Sequence, residues 1–420
     1  MEKTNKFDMA NKAQQVKIAS RVVAQLTTVQ KNTLLTTMAA AIESNSEDIL
    51  IENDKDIATG KAKGLSDAML DRLLLTKQRI SDISNAIREI ATLTDPVGDV
   101  SNLMLRPNGL QVGKMRIPLG VIAMIYEARP NVTAEAAALC IKSGNGVILR
   151  GGSEAIHSNL ALAACLHQVL KENNIDENII AVIPDTSRDV IEQLLKQRET
   201  IDLVIPRGGE GLIRYVTENS QIPVIQHFKG VCHLYIDKFA DLEKAIAILV
   251  NGKTQKPSAC NAFETLLVHQ DIAEEFLPLA AKALSSFDVV VHACQRSLSY
   301  FDRGQLATDD DYHAEYLAQE IAIKIVDNYQ EAIVHINEYT SDHTEVIVSQ
   351  DTSRTQNFIR QVNSSVVMVN ASSRFSDGGQ LGLGSEIGIS TSKLHAYGPM
   401  GLSALTTEKF IVLGDGQVRS

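Results

Sequence analysis

The chain has 420 residues, of which 44% are hydrophobic and 22% charged; this is ordinary for a folded protein, and the length predicts two or three domains. Its 40 basic and 51 acidic residues give a formal net charge of −11, which argues against a nucleic-acid binder because such a protein needs a concentrated positive face. Five cysteines without paired or metal-ligand spacing predict reduced thiols and no metal site, and the lack of an apolar leader or long apolar run predicts a cytoplasmic protein without a membrane span.

The first part of the chain, from about Met9 to Leu93, has apolar residues at three- and four-residue spacing and is predicted to be a helical scaffold. Ser66 is expected to cap the helix that contains AMLDRLLL. The segment LMLRPNGLQVGKMRIP follows, in which Pro-Asn-Gly separates two apolar runs. This pattern is typical of a β-hairpin.

From Gly120 onwards, short apolar runs alternate with amphipathic segments, as in parallel strands joined by crossover helices. The first series is VIAMIY with VTAEAAALCIKSG, GVILR with SEAIHSNLALAACLHQVLKE, IIAVIP with RDVIEQLLK, and DLVIP with EGLIRYVTEN. The second begins near Lys229 and Gly230 with CHLYID, a helix over Leu242 to Thr254, ETLLVH, a helix over Ile272 to Ser286, and VVVHA, and continues with IAIKIV, EAIVHI, EVIVS and SVVMV. These series predict an α/β fold of two doubly wound, Rossmann-like lobes.

The hairpin and the C-terminal segment TTEKFIVLGDGQVRS, interpreted as a strand with a turn, belong to neither lobe. Strands left over from a packed sheet often pair across subunits. We therefore expect a small β element that serves oligomerisation.

Cys260 is the candidate nucleophile. It lies in NGKTQKPSACNAFET, a polar loop after a predicted helix, and the nearby Lys253 and Lys256 would favour the reactive thiolate. The alternative, an accidental surface thiol, stays open on these features alone. Three other cysteines lie in apolar segments and are predicted to be inert core thiols, namely Cys140, Cys165 and Cys294. Cys232 begins a strand and is ambiguous.

Two turns between a strand and a helix are suited to phosphate, because free backbone N–H groups and the helix dipole favour anions there. The turns ILRGGSEA and VIPRGGEGLI contain Arg150, Gly151, Gly152 and Ser153, and Arg207, Gly208 and Gly209, respectively. The chain has neither GxxxxGK[ST] nor GxGxxG. Each turn alone is a weak signal, but two in one series predict a dinucleotide along the carboxyl ends of the strands.

Asn131 ends the segment YEARPN, between a predicted strand and a predicted helix. Its amide could stabilise an oxyanion in an active-site cleft. A turn or helix-cap residue is an equally good interpretation.

In this order, these segments resemble the aldehyde dehydrogenase superfamily over nearly the whole chain. The resemblance is carried by PLGVIAMIYEARPNVTAEAAALCIKSGNGVILRGGSEA, VIPRGGEGLI, NGKTQKPSACNAFETLLVH and SDGGQLGLGSEIGISTSKLHAYGPMGLSALTTEKF. More closely, the chain is similar to the members that reduce γ-glutamyl phosphate to glutamate 5-semialdehyde in proline biosynthesis. This implies use of NADP(H), a homo-oligomer (dimer or tetramer) and a functional association with glutamate 5-kinase.

The resemblance also implies roles for single residues. Cys260 matches the nucleophile, Asn131 the oxyanion donor, and Glu315 the acid that contacts the nicotinamide ribose. The two phosphate turns match the cofactor's phosphates and ribose, with Arg150 the candidate for the 2′-phosphate of NADPH. Candidates for the leaving phosphate are Arg129, Lys253 and Lys256, and Arg374 is the candidate for the substrate's α-carboxylate.

The resemblance further implies a domain organisation. Residues 1–99 and 119–229, with part of 371–399, are expected to form the cofactor-binding domain. Residues 230–370 are expected to form the catalytic domain, and residues 100–118 and 400–420 the oligomerisation element.

The segment QHFKGVCHLYID lies where ordinary members carry the glutamate that activates water, yet it has no carboxylate before its last residue, Asp237. An enzyme that exchanges phosphate with its thioester needs no such base, so the gap favours an acyl-phosphate reductase. A histidine can also act as a base near pH 7, and His227 and His233 are the candidates. The alternatives are a hydrolytic or CoA-acylating aldehyde dehydrogenase and a catalytically silent scaffold.

The chain departs from the family pattern at three positions. Thr340 and Asp342 stand where glycines or small residues are expected, and Tyr397 replaces a basic residue. These changes would affect substrate handling or subunit contacts.

Overall fold

The computed structural model of the chain describes residues 7–419. Residues 1–6 and 420, which belong to the expected cofactor-binding domain and tail, lie outside the described part. The chain divides into two compact units. The first unit contains residues up to Gln226, Leu383–Gly388 and the residues from Met400 onwards; the second contains His227–Gly382 and Ile389–Pro399.

Five helices begin the first unit, as the apolar spacing predicts. They are α1 (Met9–Val23), α2 (Thr28–Ser44), α3 (Ser46–Ala62), α4 (Asp67–Leu73) and α5 (Lys77–Thr92). The hydroxyl of Ser66 accepts a hydrogen bond of 3.4 Å from the Met69 amide, which confirms the expected cap of α4.

A hairpin and a parallel α/β series follow in the first unit. The elements are β1 (Val100–Leu105), β2 (Gln111–Pro118), β3 (Val121–Tyr126), α6 (Asn131–Lys142), β4 (Gly146–Gly151), α7 (Ile156–Glu172), β5 (Ile180–Val182), α8 (Arg188–Leu195), β6 (Leu203–Arg207) and α9 (Glu210–Asn219). Strands β1 and β2 pair antiparallel, which confirms the hairpin. The other four form a parallel sheet in the order β5-β4-β3-β6. Every residue of β3 and β4 is buried, because helices cover both faces of a parallel sheet.

The second unit contains the second α/β series. Its elements are β7 (Cys232–Ile236), α10 (Leu242–Thr254), β8 (Phe263–His269), α11 (Gln270–Ser285), β9 (Val290–Ala293), β10 (Gln305–Leu306), α12 (Asp309–His313), β11 (Glu320–Val326), α13 (Tyr329–Tyr339), β12 (Thr344–Val348), α14 (Thr352–Gln361) and β13 (Val366–Val369). The strands form a seven-stranded parallel sheet in the order β10-β9-β11-β8-β7-β12-β13. One core packs α10 and α11 against this sheet, and a second core packs α13 and α14 against it. Both faces are therefore covered, and the predicted doubly wound architecture is confirmed.

One segment of the predicted series has a different conformation from its neighbours. IAIKIV, EVIVS and SVVMV lie in strands, but EAIVHI lies within α13. Ala332, Ile333 and Ile336 are its buried apolar residues, a helical spacing. A short apolar run rich in β-branched residues does not by itself distinguish a buried helix from a strand.

Three short strands end the chain: β14 (Gly388–Ser390), β15 (Gly398–Met400) and β16 (Thr406–Leu413). Strands β14 and β15 pair with each other. Strand β16 pairs antiparallel with β2 to give the sheet β1-β2-β16, so the predicted C-terminal strand is confirmed. Among the described residues, no helix combines the length and the apolar character needed to cross a membrane.

Candidate active site around Cys260

Cys260 lies in a turn between α10 and β8 and is half-buried. The turn is closed by two backbone hydrogen bonds, from the Ala259 amide to the Lys256 carbonyl (3.1 Å) and from the Ala262 amide to the Ala259 carbonyl (2.9 Å). The polar, proline-containing sequence thus forms a compact loop after a helix, as predicted, and leaves the thiol partly accessible.

The backbone of Cys260 packs closely against the segment that precedes β7. A Cβ atom at Gly230 would lie 2.0 Å from the Cys260 carbonyl oxygen, so only glycine permits this approach. The buried Cys232 Sγ also donates to this oxygen, at 3.3 Å. The ambiguous Cys232 is therefore a structural neighbour of the candidate nucleophile.

Arg374 supports the loop from a different segment. Its guanidinium donates to Asn261 Oδ1 and, at 2.9 Å, to Gln255 Oε1. The Asn261 amide in turn donates to the Ser376 carbonyl at 2.8 Å. The structure therefore brings Arg374 to the residue that directly follows Cys260.

Two histidines lie beside the thiol. His227, Cys260 and His343 each offer a side-chain donor atom, and these atoms lie within 4.8 Å of one another. His343 is fully buried, and burial, reinforced by the neighbouring His227, lowers its pKa to about 3, so its ring is neutral at pH 7. His343 was not predicted from the sequence. Its only local signal is its position directly before a buried strand, and Cys260 is remote in the sequence.

His233, the second base candidate, is held elsewhere. Its Nδ1 lies 2.9 Å from Glu345 Oε2, and both side chains are fully buried. Of the two histidines proposed from the sequence, only His227 belongs to the cluster around Cys260. Asp237, the carboxylate at the end of QHFKGVCHLYID, accepts hydrogen bonds from Tyr235 and Ser349 instead.

Lys253 forms a buried ion pair. Its Nζ lies 2.7 Å from Glu264 Oε2, and neither side chain is exposed. Burial lowers the pKa of Lys253 and raises the pKa of Glu264, because it penalises both charged forms. Lys253 is thus engaged by Glu264, whereas Lys256 is exposed.

The three cysteines expected in the core differ in burial. Cys140 and Cys165 are buried, and burial raises the pKa of both thiols, as expected for inert groups. Cys294 is only half-buried; its Sγ lies 3.3 Å from the Ser297 hydroxyl.

In the first unit, Arg150 and Gly151 are the last residues of β4, and Gly152 leads from this strand into a short 3₁₀ turn. Arg150 is 8% exposed, and its guanidinium donates to the carbonyls of Thr186 and Ser187. Its Nε is buried without a hydrogen-bond partner among the described residues. A Cβ at Gly151 would lie 2.1 Å from the Asn159 amide nitrogen, and one at Gly152 2.1 Å from Glu154 Oε1.

Carboxylates of the chain itself engage backbone amides close to both phosphate turns. A short 3₁₀ turn, Ser153–Ala155, precedes α7, and the first amides of α7, those of His157 and Ser158, donate to the carboxylate of Asp56. At the second turn, the Gly209 amide donates to Glu127 Oε2 at 3.1 Å. Of the residues predicted to hold phosphate, Gly209 thus has its amide satisfied by a carboxylate of the chain itself.

Arg207 has a more accessible side chain than Arg150. It is 31% exposed and lies 3.8 Å from Glu386 Oε1. Gly208, the next residue, leaves no room for a Cβ, which would lie 2.5 Å from Glu127 Oε2. Arg207 is therefore the more accessible cation of the two phosphate turns.

Asn131 is the first residue of α6, and its Nδ2 donates to Glu135 Oε1 at 3.1 Å. Burial raises the pKa of Glu135. In the loop before α6, Ala128 has a φ of +39°, a conformation that non-glycine residues rarely adopt. Its amide donates to Glu154 Oε1 at 2.6 Å, which links this loop to the turn after β4.

Glu315, the predicted ribose contact, lies in the second unit. Its Oε1 accepts a hydrogen bond of 2.7 Å from the Gly230 amide. Because Gly230 packs against the Cys260 carbonyl, Glu315 is indirectly connected to the nucleophile loop.

The three departures from the family pattern have defined contacts. Asp342 has a φ of +61°, the left-handed conformation that favours glycine. Its amide donates to Thr340 Oγ1 at 2.9 Å. The Tyr397 hydroxyl donates to the Asn363 carbonyl.

These features define an α/β enzyme built around a cysteine loop. The family model "Aldehyde dehydrogenase family" matches residues 2–296. The chain is 75% identical over 414 residues to a γ-glutamyl phosphate reductase from Colwellia psychrerythraea, covering 98% of this chain and 99% of the relative. It is 42% identical to the γ-glutamyl phosphate reductase from Thermotoga maritima, whose crystal structure matches with a TM-score of 0.97 over 99% of this chain and 100% of that one.

A more distant structure shares the fold alone. It is a glyceraldehyde-3-phosphate dehydrogenase from Methanocaldococcus jannaschii complexed with NADP, 17% identical, with a TM-score of 0.67 over 97% of this chain and 94% of that one. The chain belongs to the aldehyde dehydrogenase family and, within it, to the family of γ-glutamyl phosphate reductases. The resemblance inferred from the sequence motifs is confirmed.

Proposed function

We propose that this chain reduces γ-glutamyl phosphate to glutamate 5-semialdehyde and phosphate with NADPH, through a thioester on Cys260, as the second step of proline biosynthesis. The observation that carries the proposal is the Cys260 loop. A partly accessible thiol, supported from two sides by Gly230 and Arg374, occurs in a chain that is 75% identical to a γ-glutamyl phosphate reductase.

In the first step, the Cys260 thiolate attacks the acyl carbon, and phosphate leaves as the thioester forms. The developing oxyanion needs a hydrogen-bond donor, which we assign to Asn131. An asparagine amide has two N–H groups, and one of them is directed to Glu135. The other is the donor that we assign to the oxyanion, and the bond to Glu135 fixes the orientation of the amide.

NADPH, when bound, supplies the hydride that reduces the thioester carbon. The residues of this chain fit that group, because the buried Nε of Arg150 has no hydrogen-bond partner among the described residues and can donate to a phosphate. We assign the phosphates and ribose to Arg150, Gly151, Gly152, Ser153, Arg207, Gly208, Gly209 and Glu315. Because Asp56 and Glu127 already engage the nearby amides, arginine side chains would provide most of the attraction for phosphate.

For the substrate, we assign the α-carboxylate to Arg374, which already contacts the residue after Cys260. The leaving phosphate needs a cation, for which Arg129, Lys253 and Lys256 are the candidates; the exposed Lys256 is a better candidate than Lys253, because Glu264 engages Lys253. An acyl phosphate is chemically labile, and this supports a functional association with glutamate 5-kinase in the cytoplasm.

We also propose that the chain forms a homo-oligomer through the sheet β1-β2-β16. Exposed apolar residues on this sheet support the proposal, namely Met104, Leu105, Phe410, Val412 and Leu413.

A hydrolytic aldehyde dehydrogenase is the second candidate, because His227 lies close enough to Cys260 to activate a water molecule. The reverse reaction distinguishes the two. Oxidation of glutamate 5-semialdehyde with NADP should require phosphate or arsenate and nearly stop without them, because phosphate is itself a nucleophile. Equal rates in phosphate-free buffer, with release of free glutamate, would show a hydrolytic enzyme and overturn the proposal.

A further inference from the structure

The cluster around Cys260 also has the composition of a metal site. His227 and Cys260 are half-buried, His343 is fully buried, and their donor atoms lie within 4.8 Å of one another. Two imidazoles and one thiolate form a ligand set that suits Zn²⁺, and three protein ligands with an open position for water are common in zinc sites that exchange ligands.

The hydrogen bonds of His343 give its ring the tautomer of a metal ligand. Thr344 Oγ1 donates to the Ser376 hydroxyl at 2.8 Å, so it accepts from His343 Nδ1, which lies 2.7 Å away. The Cys232 Sγ, 3.7 Å from Nδ1, donates to the Cys260 carbonyl instead. We therefore assign the proton to Nδ1 and the lone pair to Nε2. Nε2 is buried and has no hydrogen-bond partner among the described residues. Metal-ligating histidines typically donate their other N–H to such an acceptor, which fixes the ring.

We propose that His227, Cys260 and His343 form an inhibitory Zn²⁺ site that reversibly blocks the nucleophile. On binding, the Cys260 thiol releases its proton to solvent and a Zn–S bond forms, without any transfer of electrons. The inhibition rests on the proposed function, because it requires Cys260 to be the nucleophile. Formation of the Zn²⁺ site does not depend on the proposed function.

The geometry requires a small adjustment. Zn–S and Zn–N bonds of about 2.3 and 2.0–2.1 Å place tetrahedral ligand atoms about 3.3–3.6 Å apart. The three donor atoms now lie up to 4.8 Å apart, so each distance between them must shorten by at most about 1.5 Å. This shortening is required of the half-buried Cys260 and His227 side chains, because the hydrogen bond to Thr344 orients His343.

Cobalt(II) tests the site without any enzyme assay, because a bound thiolate gives Co²⁺ an intense charge-transfer absorption. The full-length wild-type protein should bind one Co²⁺ with this absorption, and Zn²⁺ should displace it. Cys260→Ser should abolish the absorption. Removing a ligand in His343→Gln or His227→Gln should weaken Co²⁺ binding by at least about tenfold, since even residues outside the ligand sphere contribute 10–100-fold. Cys294→Ser, which changes a half-buried thiol outside the cluster, is the matched control and should bind like wild type.

The outcomes separate this inference from the proposed function. Absence of the absorption in wild type, or wild-type affinity in either histidine variant, overturns the site. His227→Gln keeps the test informative if His343→Gln does not fold. A protein that binds Co²⁺ in the expected pattern but does not reduce γ-glutamyl phosphate retains the site and loses the proposed function. In an active enzyme, Zn²⁺ should inhibit and EDTA should restore the rate, whereas full activity with Zn²⁺ bound would contradict the block.

Discussion

The helix starts of the first unit and the Cys260 loop of the second are both predicted ligand sites, yet they are built differently. In the first unit, Asp56 and Glu127 satisfy the amides near the phosphate turns. In the second unit, His227 and His343 lie beside the cysteine, and no carboxylate of the described residues belongs to this cluster. A glycine-rich turn therefore does not guarantee free amides, whereas the cysteine of the polar loop is half-buried and lies beside two histidines.

The largest expected effect is that of Cys260→Ser. A serine hydroxyl is a much weaker nucleophile than a thiolate, so turnover should fall by more than about 10⁴-fold, while the fold and NADPH binding persist. Steady-state rates and a cofactor titration test this. Cys140→Ser is the control and should alter stability more than rate. Appreciable activity of Cys260→Ser would rule out the covalent mechanism, and the Cys260 loop would no longer be the reactive site of the second unit.

Gly230→Ala should have the next largest effect. Its Cβ would lie 2.0 Å from the Cys260 carbonyl oxygen, so the nucleophile must shift, and a displacement of about 1 Å can cost about 10²-fold in rate. The matched control is Gly211→Ala in α9, where a Cβ meets nothing within 4 Å. Gly211→Ala should keep full activity. If both variants have the same kcat, the packing of Gly230 does not position Cys260.

Arg150→Ala tests the cofactor assignment in the first unit. If the guanidinium contacts the 2′-phosphate, its loss should weaken NADPH binding by about 1.5–3 kcal/mol. NADH binding should change little, because NADH lacks this phosphate. Arg207→Ala is the comparison variant. Equal weakening of both cofactors by Arg150→Ala would mean that Arg150 acts through the Thr186 and Ser187 carbonyls, and Arg207 would become the better candidate.

The smallest expected effect is that of Asp56→Asn. The change removes the negative charge from a buried acceptor of two α7 amides and should lower the free energy of unfolding by about 1–2 kcal/mol. Denaturant unfolding measures this loss. NADPH affinity should stay the same if arginine side chains hold the phosphates. Much tighter NADPH binding would show that Asp56 occupies the phosphate site itself.

Local patterns predicted most of the fold. The bounds of α10, the hairpin and the cap at Ser66 were predictable, because each depends on apolar spacing or turn residues that lie close together in the sequence. EAIVHI is the exception. Its local pattern does not distinguish a helix from a strand, because its helical character depends on which residues the tertiary structure buries.

The site was less predictable, because its contacts join distant parts of the sequence. Cys260 is recognisable from its own loop, but His343 reaches it only through the parallel order of β7 and β12. Asp56 reaches the start of α7 only because α3 packs there. No local pattern indicates either contact, and both change the chemistry that the neighbouring motif suggests.

The covalent intermediate on Cys260 provides the most direct test of the central claim. The wild-type enzyme, supplied with glutamate 5-semialdehyde and NADP in phosphate-free buffer, should accumulate a γ-glutamyl thioester, since its second nucleophile is missing. Mass spectrometry of the intact protein, followed by peptide mapping, should locate one γ-glutamyl group on Cys260, and added phosphate should remove it. A wild-type enzyme that turns over with phosphate but never carries this group, or carries it on another residue, would contradict the account.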